Sequence, residues 1–320
     1  MLVRIRVIPP DSMKGRRSML KDIRKEWKRY GGLYIMAIPV VLYYVIFHYI
    51  PMGGVMIAFQ DYRPRLGILG STWVGFKHFR DFFSSMYFGR VLRNTLVISF
   101  SHLLFGFPAP IVLALLINEL KSRKFKKVVQ TVSYLPYFIS MVIICAMIKE
   151  FVSTNGFITN LLVQVFHIEK NSLLTRKEFF VPIEVISSIW SSVGFGSILY
   201  LSALSGINEE LYDAAAIDGA GRFRQTIHVT LPGIAPMIII QLILRIGSIM
   251  SVGHEKILLL YNEGIYETAD VISTYVYRKG LVEMEYSFSA AVGLFNTIIN
   301  FVLVIIANKI SAKVSDVSLW

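Results

Sequence analysis

Six apolar runs recur along this chain, each about as long as a bilayer is thick, and no soluble core could absorb them all. They fall near residues 33–50, 92–117, 128–148, 182–204, 234–260 and 288–310. A helix needs roughly 20 mostly apolar residues to cross a bilayer. In lipid the backbone must bond to itself, so runs of this length read as α-helices. An apolar content of 54% and a mean hydropathy of +0.57 exceed what a soluble domain carries. The expectation is an all-α integral membrane protein with six transmembrane helices. Pro51 and the Gly53–Gly54 pair should break the first span near its far end, Pro108 and Pro110 should kink the second, and Pro136 lies inside the third.

Charge orients the spans. The formal net charge is +12, which could point to nucleic acid, but the basic residues cluster beside the apolar runs. The segment 1–32, the connection 119–127 (Lys121, Arg123, Lys124, Lys126, Lys127), the loop holding Arg222 and Arg224, and the tail from 311 share one face. By the positive-inside rule that face is cytoplasmic, so both termini of a bacterial cytoplasmic-membrane protein are expected there. From about Ser18 the basic segment should form a helix on the inner leaflet, with Trp27 and Tyr30 at the interface. It is too long and too basic for a cleaved signal peptide. Cys145 is the single cysteine, so no intrachain disulfide can form.

Between the fourth and fifth runs lies a polar interlude, NEELYDAAAIDGAGRFRQTIHVTLPGIAP, residues 208–236. Asn208 suits an N-cap, and Glu209, Glu210 and Asp213 suit first-turn positions, where the helix dipole favours carboxylates. Ala214, Ala215 and Ala216 form helix without bulk. Gly219 and Gly221 supply the backbone freedom to end that helix and turn. A second amphipathic segment, 223–231, should stop at Pro232.

The spacing here resembles the EAA loop of ABC importer permeases, the cytoplasmic element that docks into the ATPase subunit. Asp213, Ala214, Ala215, Gly219, Val229, Leu231 and Pro232 occupy the pattern, with Asp213 in place of Glu and Val229 in place of Ile. The resemblance implies a type I importer permease in a 33–310 membrane domain. Coupling to the ATPase would fall on Glu209, Glu210, Asp213, Ala214, Ala215, Asp218, Gly219 and Arg222. It also implies a second homologous permease subunit, two ABC ATPase subunits that bind ATP and Mg, and an extracytoplasmic substrate-binding protein. The stretch FHYIPMGGVMIAFQDYRPRLGILGSTWVGFKHFRDFF, with IDGAGRFRQ and LRIGSIMSVGHEKILLL, resembles one group of carbohydrate-import permeases. That group takes up oligosaccharides released from polysaccharides, including alginate and rhamnogalacturonan.

Phe76, Phe79, Phe82 and Phe83 recur at helical spacing in the first outer connection, so an amphipathic helix at the outer interface is expected. Catalytic patterns are missing. There is no Walker A loop, no metal-spaced His/Cys/Asp/Glu cluster and no nucleophile elbow. The Leu204–Gly206 tripeptide matches a fragment of the ABC signature without the rest of that domain. The chain reads as a permease rather than an enzyme, with no cofactor of its own, no nucleic-acid partner, and the membrane and an oligosaccharide as its surroundings and cargo.

Polar residues inside the spans are the pathway candidates. Arg245 lies fourteen positions after Leu231, roughly 20 Å along a helix from the cytoplasmic boundary. A charge at that depth should face protein or water. Either it lines the path and pairs with an acidic sugar, or it forms a structural ion pair with Glu255 or a partner's acid. Gln241, Ser248, Ser251 and His254 share its run; His254 stands where the resembling group usually has Phe. Trp190, Ser191 and Ser192 in the fourth run and Asn296 and Asn300 in the sixth complete the set, with interhelical bonding as the alternative role of each. Neutral sugars or peptides are the alternative cargo. A secondary transporter should show inverted repeats, which are not evident.

Overall fold

The computed structural model describes residues 14–315 and 317–320, and the chain divides into two compact units at Met56/Ile57. In the first unit, α1 (Lys14–Tyr44) runs without interruption from the basic segment into the first span. The helix expected from about Ser18 is formed, but it continues through the Gly31–Gly32 pair into the span. The expected start of the basic segment, residues 1–13, lies outside the described residues.

Pro51, Pro108 and Pro232 do not end or break their helices, whereas Pro136 does sit at a bend. Three five-residue π turns, Val45–Tyr49, His102–Gly106 and Thr226–Thr230, each finish two residues before a proline: Pro51, Pro108 and Pro232. A proline ring clashes with the carbonyl four residues back, and it has no N–H to give. In each case that carbonyl belongs to the wide turn, where bonds such as Phe107 N to His102 O (2.8 Å) span five residues instead of four. The added residue makes room for the ring. Pro232 thus sits inside a continuous span, Arg222–Gly247, rather than at a boundary.

In the second unit a short hairpin pairs β1 (Gln60–Asp61) with β2 (Thr72–Trp73) in antiparallel register. Next come α2 (Lys77–Phe83), α3 (Phe88–Ser101) and α4 (Pro108–Asn118), the last two joined by the second π turn. The third run is not one straight span. α5 (Arg123–Tyr134) and α6 (Met141–Phe151) meet at 100°, because the Leu135–Phe138 turn holding Pro136 is followed by extended backbone at Ile139 and Ser140. After α7 (Phe157–Phe166), the fourth span is α8 (Lys177–Leu204). Gly194 lets it touch α5: a Cβ there would lie 1.9 Å from the Ser133 carbonyl oxygen. The loop helices α9 (Glu210–Ile217) and α10 (Arg222–Gln225) lead through the third π turn into α11 (Leu231–Gly247). The fifth span was expected to reach 260. It stops at Gly247, and after six residues without helix α12 (His254–Leu260) begins. α13 (Ile272–Tyr277) and the sixth span, α14 (Tyr286–Val314), close the chain. Among the described residues, five helices are long and apolar enough to cross a membrane, six with the bent pair.

The phenylalanine helix α2 departs from the expected interfacial role at one position. Phe82 is fully buried and packs among Phe88, Tyr275, Phe288 and Phe295, while Phe76 remains exposed. Nearby, a charged staple ties the start of the second span to the segment before α13. Asp270 is wholly buried and meets Arg90 at 3.2 Å and Arg278 at 2.7 Å. Asn94 donates to the carbonyls of Glu267 and Asp270. Burial works against the Arg278 charge, but the Asp270 bond outweighs it and holds the guanidinium above the usual arginine range. Removing one member of such a cluster strands the others. Asp270→Asn is expected to destabilise the fold by about 3 kcal/mol, read as a lower melting midpoint of the purified complex; an unchanged midpoint would show that solvent compensates both arginines.

Candidate functional site

The interruption of the fifth span organises the site. Backbone left open at membrane depth must find partners in protein, and between α11 and α12 the neighbouring spans supply them. Ser99 of α3 donates its hydroxyl to the Ile249 carbonyl. Asn300 of α14 accepts from Met250 N (2.9 Å) and donates to Ser251 Oγ (3.0 Å). Ser273 donates to the Val252 carbonyl at 3.3 Å. The break is therefore held from three sides.

Beside it runs a polar groove between α4, α8 and α11, formed by two adjoining cavities of about 350 and 250 Å³. His102, Ser188, Ser192, Arg245 and Ser248 line both. Gln241 lines the larger cavity and Ser251 the smaller. Arg245 is exposed and makes no ion pair among the described residues; the expected partner Glu255 makes none either. Ser248 bonds back to the Arg245 carbonyl at 3.2 Å.

Sequence reasoning missed the charged cluster on the far wall of the smaller cavity. Glu184 of α8 is 2% exposed, and its carboxylate accepts from His102 Nε2 (2.8 Å) and from Ser188 Oγ (3.1 Å). Lys256 of α12 lies 3.9 Å from Glu184 Oε1 and donates to the Glu184 carbonyl (2.7 Å) and Ser188 Oγ (2.6 Å). The available signal was a lone carboxylate inside an apolar run, which must find a partner.

The remaining pathway candidates do not join this groove. His254 and Asn296 line a separate cavity of about 880 Å³ with Tyr62, Tyr277 and Tyr286. The rings of His254 and Tyr277 lie 5.9 Å apart, and the buried Asn296 Oδ1 has no hydrogen-bond partner among the described residues. Trp190 lines an apolar cleft with Phe151, Leu162 and Phe179.

The 208–236 loop forms the expected corner of two short helices. Asn208 Oδ1 accepts from Glu210 N (3.0 Å) and its Nδ2 donates to the Glu210 carboxylate (3.1 Å), so it caps α9 from just outside. Gly219 has φ +75°, a left-handed conformation at the end of α9. Tyr212 Oη bonds Thr230 Oγ1 at 3.0 Å, locking α9 onto the π turn. Arg222 pairs with Glu119 at the end of α4 (3.0 Å). Glu209, Glu210, Asp213, Ala214 and Asp218 are exposed, and so are Ile217 and Phe223, at 87% and 78%. Ala215 is half-buried. Large apolar side chains standing clear beside carboxylates mark an interaction surface.

Residues 106–316 match the family model described as the binding-protein-dependent transport system inner membrane component. Over 293 residues the chain is 44% identical to "Protein LplB" of Bacillus subtilis (strain 168), covering 92% of each chain. It is 41% identical over 307 residues to the polygalacturonan/rhamnogalacturonan transport system permease protein YteP of the same organism, covering 96% of this chain and 94% of that one. Among solved structures, a chain of a bacterial alginate ABC transporter in complex with an alginate pentasaccharide-bound periplasmic protein superposes with TM-score 0.84. That chain is 42% identical, with 92% of this chain and 99% of that one covered.

Asn300 has two bonds to the open backbone of the fifth span, and Leu has neither. Asn300→Leu is expected to leave the protein membrane-inserted while reducing solute uptake in proteoliposomes at least tenfold, since a buried unsatisfied group costs about 1–3 kcal/mol. Wild-type uptake would mean the break holds itself.

Proposed function

The chain belongs to the binding-protein-dependent transport inner-membrane components, the permease subunits of ABC importers, and on that premise we propose that its cargo is an acidic oligosaccharide. One observation carries the reading: Arg245 brings a cation to a polar groove inside the spans with no counter-charge in ion-pair contact among the described residues, the Glu184 carboxylate on the far wall being held by His102 and Lys256. A carboxylate on a sugar ring would supply that counter-charge through a charge-assisted bond. Ser188, Ser192, Ser248 and Gln241 around it offer the hydroxyls and amide that suit sugar hydroxyls. The relatives support the same class, since polygalacturonan and alginate are uronate polymers. The cavity of Tyr62, Tyr277, Tyr286, His254 and Asn296 adds rings and an amide oxygen that suit a neighbouring sugar unit.

Coupling in this reading is mechanical. The chain works with a second, homologous permease, two ATPase subunits that hold ATP and Mg, and an extracytoplasmic binding protein. The ATPase grips α9 through Glu209, Glu210, Asp213, Ala214, Ala215 and the exposed Ile217. Closure of the ATPase pair then moves the loop as a rigid body. Because α10, the π turn and α11 form one continuous span, the push reaches Arg245 along a single helix. The loop, the basic segment and both termini lie on the cytoplasmic side. ATP is hydrolysed by the partners, not by this chain.

Two variants test the two halves. Gly219→Val forces a branched side chain into a left-handed conformation, a strain of about 1–3 kcal/mol; the complex should insert and assemble yet lose ATP hydrolysis stimulated by loaded binding protein. Stimulation at the wild-type level would sink the docking model. Arg245→Gln should raise the half-saturation for uronate oligosaccharide by roughly tenfold or more, the scale of a lost charged hydrogen bond, while uptake of the carboxyl-reduced sugar changes far less. Equal effects on both sugars would make Arg245 a structural charge.

A further inference from the structure

Four ionisable groups line the 250 Å³ cavity: His102, Glu184, Arg245 and Lys256. Glu184 and Lys256 are both nearly inaccessible, at 2% and 4% exposure, whereas Arg245 is open to the groove. The Lys256 ammonium is already held by two neutral oxygens, the Glu184 carbonyl at 2.7 Å and Ser188 Oγ at 2.6 Å. An amide-bearing side chain would serve for those bonds. What only the Glu184 carboxylate adds is charge, placed 3.9 Å from the ammonium and bonded in turn to His102 and Ser188. Anchoring the helix after the break therefore does not by itself account for a full ion pair on the wall of a transport groove.

We propose that Glu184 and Lys256 are a compensated pair of specificity-determining residues that keep the groove at one usable positive charge, that of Arg245. The physical need is release. Cargo must bind well enough to enter and weakly enough to leave. An oligouronide carries several carboxylates, and a second uncompensated cation beside Arg245 would hold it. A net negative wall would repel it. Glu184 and Lys256 act through Arg245 and the field of the groove, without touching the sugar. The inference rests on the acidic-cargo reading of Arg245.

The two single variants should move selectivity in opposite directions, which a purely structural pin would not do. Glu184→Gln strands the Lys256 charge. In proteoliposomes holding ATP, half-saturation for a uronate oligosaccharide should fall about tenfold relative to its carboxyl-reduced form, the scale of a unit charge at groove distances with effective dielectric near 20. The maximal rate for the uronate should fall with it, because release slows. Lys256→Gln keeps a donor for Ser188 and strands the carboxylate, so the same ratio should rise about tenfold. The double variant Glu184→Gln/Lys256→Gln restores neutrality and should return the ratio to within about twofold of wild type, even if a single variant inserts poorly. Parallel loss on both sugars in the single variants, or a double variant with altered selectivity, overturns the proposal. Arg245→Gln measured alongside separates the two ideas. If it leaves uronate preference intact, the reading of Arg245 falls; if it abolishes preference while the paired variants fail to diverge, only the compensation falls.

Discussion

Backbone that leaves the helix inside a membrane has no water to bond, and the break between Gly247 and His254 is where this constraint bites hardest. Its satisfaction draws in Ser99 from the second span and Asn300 from the sixth. Lys256, just past the break, is tied to the fourth. Spans two, four and six thus converge on a short stretch of the fifth. The polar groove is a by-product of that convergence. Side chains and backbone polar enough to hold open chain also line the adjoining space, where a hydroxyl-rich solute can exchange one set of bonds for another.

Electrostatics follow from the same geometry. A carboxylate in the fourth span is tolerable only with donors around it, and His102 from the second span, Ser188 from the fourth itself and Lys256 from α12 provide them. Arg245 shares the cavity but makes no ion pair with that cluster. At the other end of the same helix, the loop presents carboxylates and bare apolar side chains, where the proposed coupling would act. One element therefore touches both an assembly surface and a solute groove, and the ion pair Arg222–Glu119 steadies it against the second span.

Much of this was legible in the sequence because it depends on local rules. Apolar run length gave the spans, and the Gly219 position gave the left-handed turn that ends α9. Less local features were not legible. A break at 248–253 depends on Ser99 and Asn300, distant in sequence, and the segment itself is a mix of small and apolar residues like any span. Arg245 and Glu255 share a run, so an ion pair between them was one alternative to a pathway role, yet Glu255 makes no ion pair among the described residues and Glu184 binds the lysine next to it. Trp190, His254 and Asn296 face other spaces, since which way a side chain points depends on neighbours that a single run does not reveal. Pro51 and Pro232 were the clearest misreadings: taken as a break and a boundary, they are accommodated, while Pro136 sits at a bend.

That accommodation has a rotational consequence. A π turn holds one residue more than an α turn, and each residue turns a helix by about 100°. Everything beyond Thr230 is therefore out of phase with α10 by that amount, so a helical wheel drawn straight through Arg222–Gly247 assigns Arg245 to the wrong side. The orientation of the groove relative to the loop is set by a single extra residue. Deleting one residue within Thr226–Thr230 would leave the length and apolarity of the span almost untouched. It would also swing Gln241, Arg245 and Ser248 together out of the groove, or turn the loop away from the surface it meets.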